Sequence, residues 1–263
     1  MSKNVLTFDI TMDFHYLSKS KAKDFKSLAA KKQRDISGLF LAEGHKCVSD
    51  YLGAFPLQNL VATREWCERN PQLFANYADK ILISDKRGLE IISSLNSVPD
   101  VIAVFEKRSA CCPEISPEKL YLLLDEIQDP GNLGTIIRTC DWFGVYDIFA
   151  SPKTVDLYSP KVVQATMGSL SRVRVHYVDL KKLVENHPEI PLVGTLLSGI
   201  PYKDCDVLKG GCFVLMGNEG RGISEDLKKL INVPVTIPPA NPEVHPDSLN
   251  VAIATAVILS ANG

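Results

Sequence analysis

The fold class is predicted from the segment LYLLLDEIQDPGNLGTIIR, at residues 120–138. It begins with five apolar residues in succession, at 120–124, a pattern typical of a β-strand that is buried on both faces of a parallel sheet. A loop rich in Asp, Pro, Gly and Asn follows, and a helix is predicted from near Asn132, a plausible N-cap, to near Gly144. A buried strand, a polar loop and a helix in this order indicate an α/β domain.

Strands and helices continue to alternate toward the C-terminus. Strands are predicted at 145–149, 173–177, 193–197, 212–216 and 233–237, and a helix at 159–168. An Ala-rich, apolar helix is predicted at 248–260, with Asp247 or Ser248 as its cap, and it must pack against the rest of the domain. The pattern therefore predicts one α/β domain over residues 120–263.

A smaller α/β series precedes this domain. Strands are predicted at 39–41, 60–62, 81–83 and 101–105, and helices at 43–52, after Thr63 as a cap, and at 85–95. A Pro-containing stretch without periodicity separates the two series. We therefore predict a first domain at 1–108, a linker at 109–119 and a second domain at 120–263.

The most basic part of the chain lies at residues 19–34, which hold seven Lys or Arg and one acid, Asp24. A thin apolar stripe predicts one amphipathic helix with a cationic face. That face is either a solvated helix surface or an RNA contact.

Composition excludes several classes of protein. The net charge of −2 argues against a protein that coats nucleic acid through bulk positive charge. The longest apolar run, at 251–259, is far shorter than the roughly 20 residues that span a bilayer, and the N-terminus has no signal-peptide pattern. The seven Cys have no ligand-like spacing, so we expect a reduced, cytoplasmic chain without a bound metal.

Three loops that follow predicted strands contain residues suited to chemistry. In the first, Gly134 and Arg138 are four residues apart and share one helix face, so a ligand could approach the helix where Arg138 reaches toward it. An Arg there suits a phosphate. Alternatively, Arg138 is paired with Asp125, Glu126 or Asp129.

The second loop follows a buried strand with three glycines in six residues, Gly217, Gly220 and Gly222. Either the backbone approaches a ligand closely there, or it adopts positive φ angles, or both. The order G-x-x-G-x-G is neither the dinucleotide fingerprint nor a P-loop. Glu219 could bind a cationic or hydroxyl-bearing group. The alternative is a tight turn before a helix capped by Ser224.

The third loop, at 237–250, holds four Pro and leads into the last helix. Exposed N–H groups at such a helix start are good donors to a ligand. Asn250 lies in the predicted first turn, where it either serves the ligand or helps to cap the helix. His245 is expected to be an exposed loop residue without a catalytic role.

Together the three loops resemble the three motifs of the SpoU (TrmH-type) branch of the SPOUT RNA methyltransferases. The first motif is N-x-G-x-x-x-R, here from Asn132 to Arg138, and the second is G-x-E-G, here 217–220. The third is I-P followed by S-L-N-V, here 237–238 and 248–251. Three motifs in order over about the last 145 residues make a specific resemblance. One departure is a longer, Pro-rich insert at 238–247.

The resemblance implies a mainly parallel sheet with a deep C-terminal trefoil knot, preceded by a small α/β substrate-binding domain. It implies a homodimer that transfers a methyl group from S-adenosylmethionine (AdoMet) to a ribose 2′-hydroxyl in rRNA or tRNA. The residues it implies for AdoMet are Thr195, Leu196, Gly217, Asn218, Gly220, Ile237, Ser248 and Leu249. The residues it implies for catalysis are Arg138, Asn132, Glu219, Ser248 and Asn250.

Arg138 would act as the base or would stabilise a phosphate and the developing alkoxide; the second role suits a guanidinium, which stays protonated. Two other functions remain open at this point. One is a non-catalytic RNA-binding relative with the same fold. The other is a nucleotide-dependent metabolic enzyme that uses the turn at 220–222 for phosphate.

Overall fold

The computed structural model describes residues 15–109, 113–241, 243–244 and 246–262. His245 lies outside the described residues, and so does the prediction made for it. The chain divides into two compact units. The first comprises the described residues up to Arg108 together with Tyr158–Pro160, and the second comprises Ser109–Leu157 and the described residues from Lys161 onward.

The described part of the first unit is built on a four-stranded sheet with six α-helices. Its elements are α1 (Lys19–Ser27), α2 (Lys31–Ser37), β1 (Leu39–Glu43), α3 (His45–Tyr51), β2 (Leu57–Ala62), α4 (Arg64–Arg69), α5 (Pro71–Tyr77), β3 (Ile81–Ile83), α6 (Lys86–Ile92) and β4 (Val101–Glu106). The strand order is β1-β4-β2-β3. Strand β4 is antiparallel to both β1 and β2, and β3 is parallel to β2. The predicted cap Thr63 is confirmed, since its side chain accepts a hydrogen bond from the Trp66 amide.

The prediction of one helix over residues 19–34 is wrong, because the chain breaks into α1 and α2 between Leu28 and Ala30. Arg34 explains the break. Its side chain is buried, and its Nη1 donates to the carbonyls of Leu28 at 2.7 Å and Ala29 at 2.8 Å. These carbonyls lie at the end of α1 and have no helical partner of their own. Arg34 is therefore a structural residue and not part of a cationic face.

The second unit contains six strands and five α-helices among its described residues. Its elements are β5 (Leu120–Leu124), α7 (Pro130–Trp142), β6 (Asp147–Ala150), α8 (Pro160–Ala165), β7 (Arg174–Tyr177), α9 (Leu180–Glu185), β8 (Leu192–Pro201), β9 (Cys212–Met216), α10 (Glu225–Lys228), β10 (Val233–Thr236) and α11 (Val251–Leu259). The strand order is β10-β8-β9-β5-β6-β7, and every neighbouring pair is parallel. The prediction of a mainly parallel α/β domain is confirmed.

Burial explains why this sheet forms. Four residues of β5, from Tyr121 to Leu124, are at most 2% exposed, so both faces of the strand are covered. Tyr121 and Leu123 belong to a core cluster with Phe149, Phe213 and residues of α9 and α10. The apolar helix α11 packs against α7, as its composition requires.

Two predicted helix caps are wrong. Helix α7 begins at Pro130, and Asp129 caps it by accepting the Asn132 amide at 2.8 Å, because a Pro at the first helical position needs no N–H partner. Helix α11 is capped by Asn250, whose Oδ1 accepts the amides of Ala252 and Ile253. Neither Asp247 nor Ser248 is the cap, and the alternative that Asn250 helps to cap the helix is confirmed.

The described residues form neither a membrane-spanning helix nor a metal-binding cluster. None of the helices in this part of the chain is long and apolar enough to cross a membrane. Within the same residues, we find no group of three or more His, Cys, Asp or Glu side chains arranged to hold a metal ion.

Candidate active site

The site forms at the edge of the parallel sheet where the strands end. Leu124 at the end of β5 is paired with Met216 at the end of β9 and with Ala150 at the end of β6. The loops that leave these strands therefore start side by side, as in other open parallel sheets that bind ligands at this edge.

A chain of side-chain hydrogen bonds joins the three predicted motifs. Asn250 Nδ2 donates to Asn132 Oδ1 at 2.9 Å, and Asn132 Nδ2 donates to Glu219 Oε1 at 2.9 Å. Asn250 Oδ1 is occupied in capping α11, which leaves its amide nitrogen free to donate toward Asn132. The cap of Asp129 holds Asn132 in the first turn of α7. Three of the five predicted catalytic residues are thus in direct contact.

The glycine loop between β9 and α10 closes on itself. Asn218 and Gly222 exchange two backbone hydrogen bonds, and Gly222 has a φ of 70°. A Cβ on Gly217 would lie 2.4 Å from Gly222 C and Ile223 N, so the turn itself requires glycine there. A Cβ on Gly220 would meet only Asn218 Oδ1, at 3.7 Å. The space beside Gly220 is open, so the turn does not explain this glycine.

The Asn218 side chain stabilises the same loop through three hydrogen bonds. Its Oδ1 accepts the amides of Gly220 and Arg221, each at 3.0 Å, and its Nδ2 donates to the Glu126 carbonyl at 2.8 Å. Ser224 occupies the N-cap position of α10, but its side chain makes no capping hydrogen bond. Its amide instead donates to the buried carboxylate of Asp125 at 2.8 Å. The predicted tight turn is present, and the predicted capping by the Ser224 side chain is not.

Sequence reasoning missed Glu126 as a member of the site. Its carboxylate binds Lys153 at 2.6 Å and Arg221 at 3.1 Å, and its φ is 57°, which is uncommon for a residue with a side chain. The hydrogen-bonded Lys153 ammonium lowers the pKa of the Glu126 carboxyl. The signal was its position two residues after β5, where a carboxylate meets the neighbouring loops.

Arg138 does not pair with any of the three acids that sequence reasoning offered as alternatives. Asp125 accepts the Ser224 amide, Glu126 binds Lys153 and Arg221, and Asp129 caps α7. No hydrogen bond or ion pair of Arg138 falls among the described residues, and its side chain is exposed. It lines a cleft of about 610 Å³ on the α7 surface, together with residues such as Trp142 and Ala256.

Gly134 is explained by packing and not by an approaching ligand. A Cβ there would lie 2.3 Å from the Cβ of Ala165 at the end of α8, and close to its backbone. The interpretation that Gly134 leaves room for a ligand beside Arg138 is therefore wrong. The missing side chain lets α8 approach α7.

The predicted cofactor residues lie on neighbouring segments. Strand β10 pairs with Gly194 and then with Ile200 of β8, so residues 195–199 bulge out between the two pairings. Thr195 Oγ1 donates to the Leu215 carbonyl of β9 at 2.9 Å, and the Leu196 side chain packs against the core. Ile237 and Leu249 lie on the last loop, where Leu249 is 50% exposed. No hydrogen bond of the Ser248 side chain falls among the described residues.

Two family models match the chain. The model of the SpoU rRNA Methylase family matches residues 119–260. The chain belongs to this family. The model of the MRM3-like substrate binding domain matches residues 19–103, in the first unit.

Individual members of the SpoU family resemble the chain along most of its length. The 23S rRNA (guanosine(2553)-2′-O)-methyltransferase RlmP of Bacillus subtilis is 26% identical over 242 residues, which are 91% of this chain and 94% of that one. An AdoMet-bound rRNA methyltransferase from Sinorhizobium meliloti has a TM-score of 0.83 and 31% identity, covering 95% and 97%. The SpoU methyltransferase AviRb of Streptomyces viridochromogenes, in complex with AdoMet, has a TM-score of 0.80 and 25% identity, covering 93% and 97%.

Proposed function

We propose that this chain transfers a methyl group from AdoMet to a ribose 2′-hydroxyl in structured rRNA or tRNA. The observation that carries the proposal is the hydrogen-bonded chain Asn250–Asn132–Glu219, which joins the three SpoU motifs at the carboxyl edge of the parallel sheet. The 2′-O-methyltransferase RlmP, which is similar over 91% of this chain, supports the reaction class.

The residues present fit AdoMet. The backbone beside Gly220 is open to an approaching group, and the neighbouring segments expose apolar side chains that a nucleoside would cover, Leu197 at 82% and Leu249 at 50%. The Glu219 carboxylate lies on the same loop as Gly220 and suits a cationic neighbour. Two similar family members were solved with AdoMet bound, which supports this assignment.

AdoMet supplies an electrophilic methyl group on a positively charged sulfur. The chain has to position a 2′-hydroxyl against it and to draw off the hydroxyl proton. Asn132 is held by Asn250 and Glu219 on two sides, which fixes its amide where it can orient the ribose or Arg138. Such fixed geometry supplies much of the rate of a bimolecular transfer.

Arg138 stabilises charge in this proposal. It is exposed on α7, and no described residue neutralises it. A guanidinium stays protonated at ordinary pH, so its role is to bind a phosphate of the RNA and to stabilise the alkoxide that forms as the hydroxyl loses its proton. Ser248 is proposed to order the cofactor loop.

The proposal includes a trefoil knot and a homodimer. Strand β10 lies at one edge of the sheet, and α11 returns from it to pack on α7, which starts after the inner strand β5. That return path supports threading of the C-terminal segment.

The proposed homodimer is supported by exposed apolar side chains. On the α7–α11 side, Trp142 is 85% exposed and Ile253 is 56% exposed, and a second copy would cover these side chains.

RNA binding is proposed to use the first unit as well. Exposed lysines of α1 and α2 face solvent, among them Lys19, Lys23 and Lys32. They would contact phosphates, so binding should weaken as the salt concentration rises.

The proposed location is the cytoplasm. The described cysteines are buried and have free thiols, which suits its reducing conditions.

The test is transfer of tritium from labelled AdoMet to rRNA and tRNA from cells that lack the gene. Incorporation into a nucleotide that resists alkaline cleavage at its 3′ side would establish ribose 2′-O-methylation. Tight RNA binding without incorporation would favour a non-catalytic relative. Titration calorimetry with S-adenosylhomocysteine, NAD and ATP tests the alternative of a nucleotide-dependent metabolic enzyme. Binding of NAD or ATP alone would contradict our proposal.

A further inference from the structure

A second cavity lies in the first unit, at the edge of its own sheet. Strands β1 and β2 both run antiparallel to β4, so their carboxyl ends meet its start, where Glu43 pairs with Ile102 and Ala62 with Val101. Helices α3 and α4 leave the two strand ends at this edge. A cavity of about 420 Å³ opens here, lined by His45, Trp66, Arg69, Asn70, Pro99, Asp100 and Val101. This volume falls in the range of small-molecule sites.

Trp66, one of the residues that line the cavity, carries a buried polar atom without a partner in the part of the chain that the structure describes. The Trp66 side chain is 2% exposed, and its Nε1 has no hydrogen-bond partner among the described residues. An indole N–H is a donor only, and leaving one buried without an acceptor costs stability. The exposed His45 ring stands 5.9 Å from the Trp66 ring, tilted by 60°. The cavity thus offers the exposed His45 ring as aromatic surface, and the buried Trp66 ring beside it can report on binding.

The rim carries an arginine that is held in an ion pair. Arg69 binds Asp100 at 2.7 Å, and Lys86 lies 3.7 Å from the same carboxylate. Two cations therefore share one acid. Arg69 Nε also donates to the Glu65 carbonyl, which fixes the guanidinium at the end of α4. An anion that reached this rim would find a held cation that one shared carboxylate does not fully neutralise.

We propose that this cavity binds an unpaired nucleobase of the RNA, with Arg69 at an adjoining phosphate. A base supplies the flat π-face that the exposed His45 ring can stack on. Its phosphate supplies the anion for Arg69. This inference rests on the proposed function, because it makes the first unit a reader of single-stranded RNA and not only a source of positive charge.

The direct test uses Trp66 as the reporter. The chain has two Trp, so Trp142→Phe leaves Trp66 as the single emitter. In that background, adenylate and uridylate dodecamers should change Trp66 emission saturably. His45→Ala and Arg69→Ala should each weaken this binding about tenfold, as loss of a base-stacking partner does. Lys181→Ala, which removes an exposed charge of α9 in the other unit, is the matched control and should have no effect.

An unchanged Trp66 emission at dodecamer concentrations that bind by anisotropy would overturn the inference. So would binding to His45→Ala that equals that of the parent.

A second arm keeps this result separate from the methyl-transfer proposal. With the rRNA that accepts the methyl group as substrate, His45→Ala and Arg69→Ala should each raise KM about tenfold and leave kcat within about twofold. The thermal midpoint of each variant shows that the unit still folds. Normal KM values in both would refute the base pocket while methyl transfer stands. Absence of transfer in the parent, with Trp66 quenching intact, would refute the enzyme and keep the pocket.

Discussion

Asn132 and Glu219 are 87 residues apart in sequence, and their side chains are joined by a hydrogen bond of 2.9 Å. The bond links the first turn of α7 to the glycine loop after β9. Asn132 Oδ1 also accepts a hydrogen bond from Asn250 Nδ2, so this one residue joins the first and third motifs as well. The geometry of the proposed site therefore depends on a carboxamide with one donor and one acceptor in use.

Replacing Asn132 by Asp should disrupt the site through charge. The variant would place a carboxylate against the Glu219 carboxylate at hydrogen-bond distance, and we expect a drop in kcat/KM of about a hundredfold, as for other misplaced groups. Adding Glu219→Gln to Asn132→Asp restores a donor opposite the introduced carboxylate and should recover part of the loss. Methyl incorporation into RNA measures both.

Asn76→Ala is the matched control, because Asn76 is an exposed residue of α5 outside the site. It should retain full activity. A double variant no more active than Asn132→Asp would show that charge repulsion with Glu219 is not the cause.

Substitutions at Gly217 and Gly220 should affect stability and cofactor binding differently. Gly217→Ala puts a Cβ 2.4 Å from backbone atoms that cannot move aside, so we expect a loss of about 1–3 kcal/mol in stability and of S-adenosylhomocysteine binding. Gly220→Ala has open space around it and should keep the parent's thermal midpoint while weakening that binding. Calorimetry and thermal unfolding check the pair. Equal destabilisation by both substitutions would contradict this explanation of Gly217.

The contact between Gly134 and Ala165 predicts a partial rescue. Gly134→Ala introduces a clash at 2.3 Å with the Ala165 Cβ, and the cost of about 1–3 kcal/mol exceeds the gain of about 1 kcal/mol in helix propensity. Ala165→Gly in the same chain removes the nearest atom and should return part of the stability. Urea unfolding of the two single variants and the double variant measures the coupling. Additive effects would argue against a direct contact.

Arg138 variants distinguish a charge-stabilising role from a proton-accepting one. Arg138→Ala should abolish methyl transfer in either role. Arg138→Lys should retain measurable activity if the residue stabilises a phosphate and an alkoxide, since an ammonium also carries that charge. Arg174→Ala, at an exposed arginine of β7, is the control and should be active. Complete inactivity of a folded Arg138→Lys would count against the charge-stabilising role.

Asp35 in the first unit should make a pH-dependent contribution to stability. Lys107, which hydrogen-bonds it at 2.8 Å, and Lys31 lower the pKa of Asp35 from 3.8 to about 2. Because the folded pKa is the lower one, the ionised group stabilises the fold above pH 3.8, and this contribution is lost as the pH falls to about 2. Asp35→Asn should lower the thermal midpoint at neutral pH by the equivalent of less than about 1 kcal/mol. The difference should shrink between about pH 5 and about pH 2, and a constant difference would contradict the ion pair.

Local sequence patterns predicted most of the elements. The run at 120–124 is a strand with those bounds, and so is the run at 212–216, because a continuous apolar segment has no exposed face and must lie inside a sheet. Helix starts were less predictable. Asp129 caps α7 three residues before the predicted Asn132, and Asn250, which the sequence offered only as an alternative, caps α11. Several Asp, Asn and Ser residues near each start compete for the same amides.

The α/β class, the three motif loops and the family could be predicted from the residues alone, since these depend on the order and spacing of residues along the chain. Which side chains meet is visible only in the folded chain. Asn132 bonds to residues 87 and 118 positions away, Glu126 binds Arg221, and Gly134 makes room for Ala165. Sequence spacing does not encode such contacts, because they arise when parallel strands bring distant loops to one edge of a sheet. The cavity around Trp66 and His45 is a further case, since its walls come from the ends of strands that pair only in the folded chain.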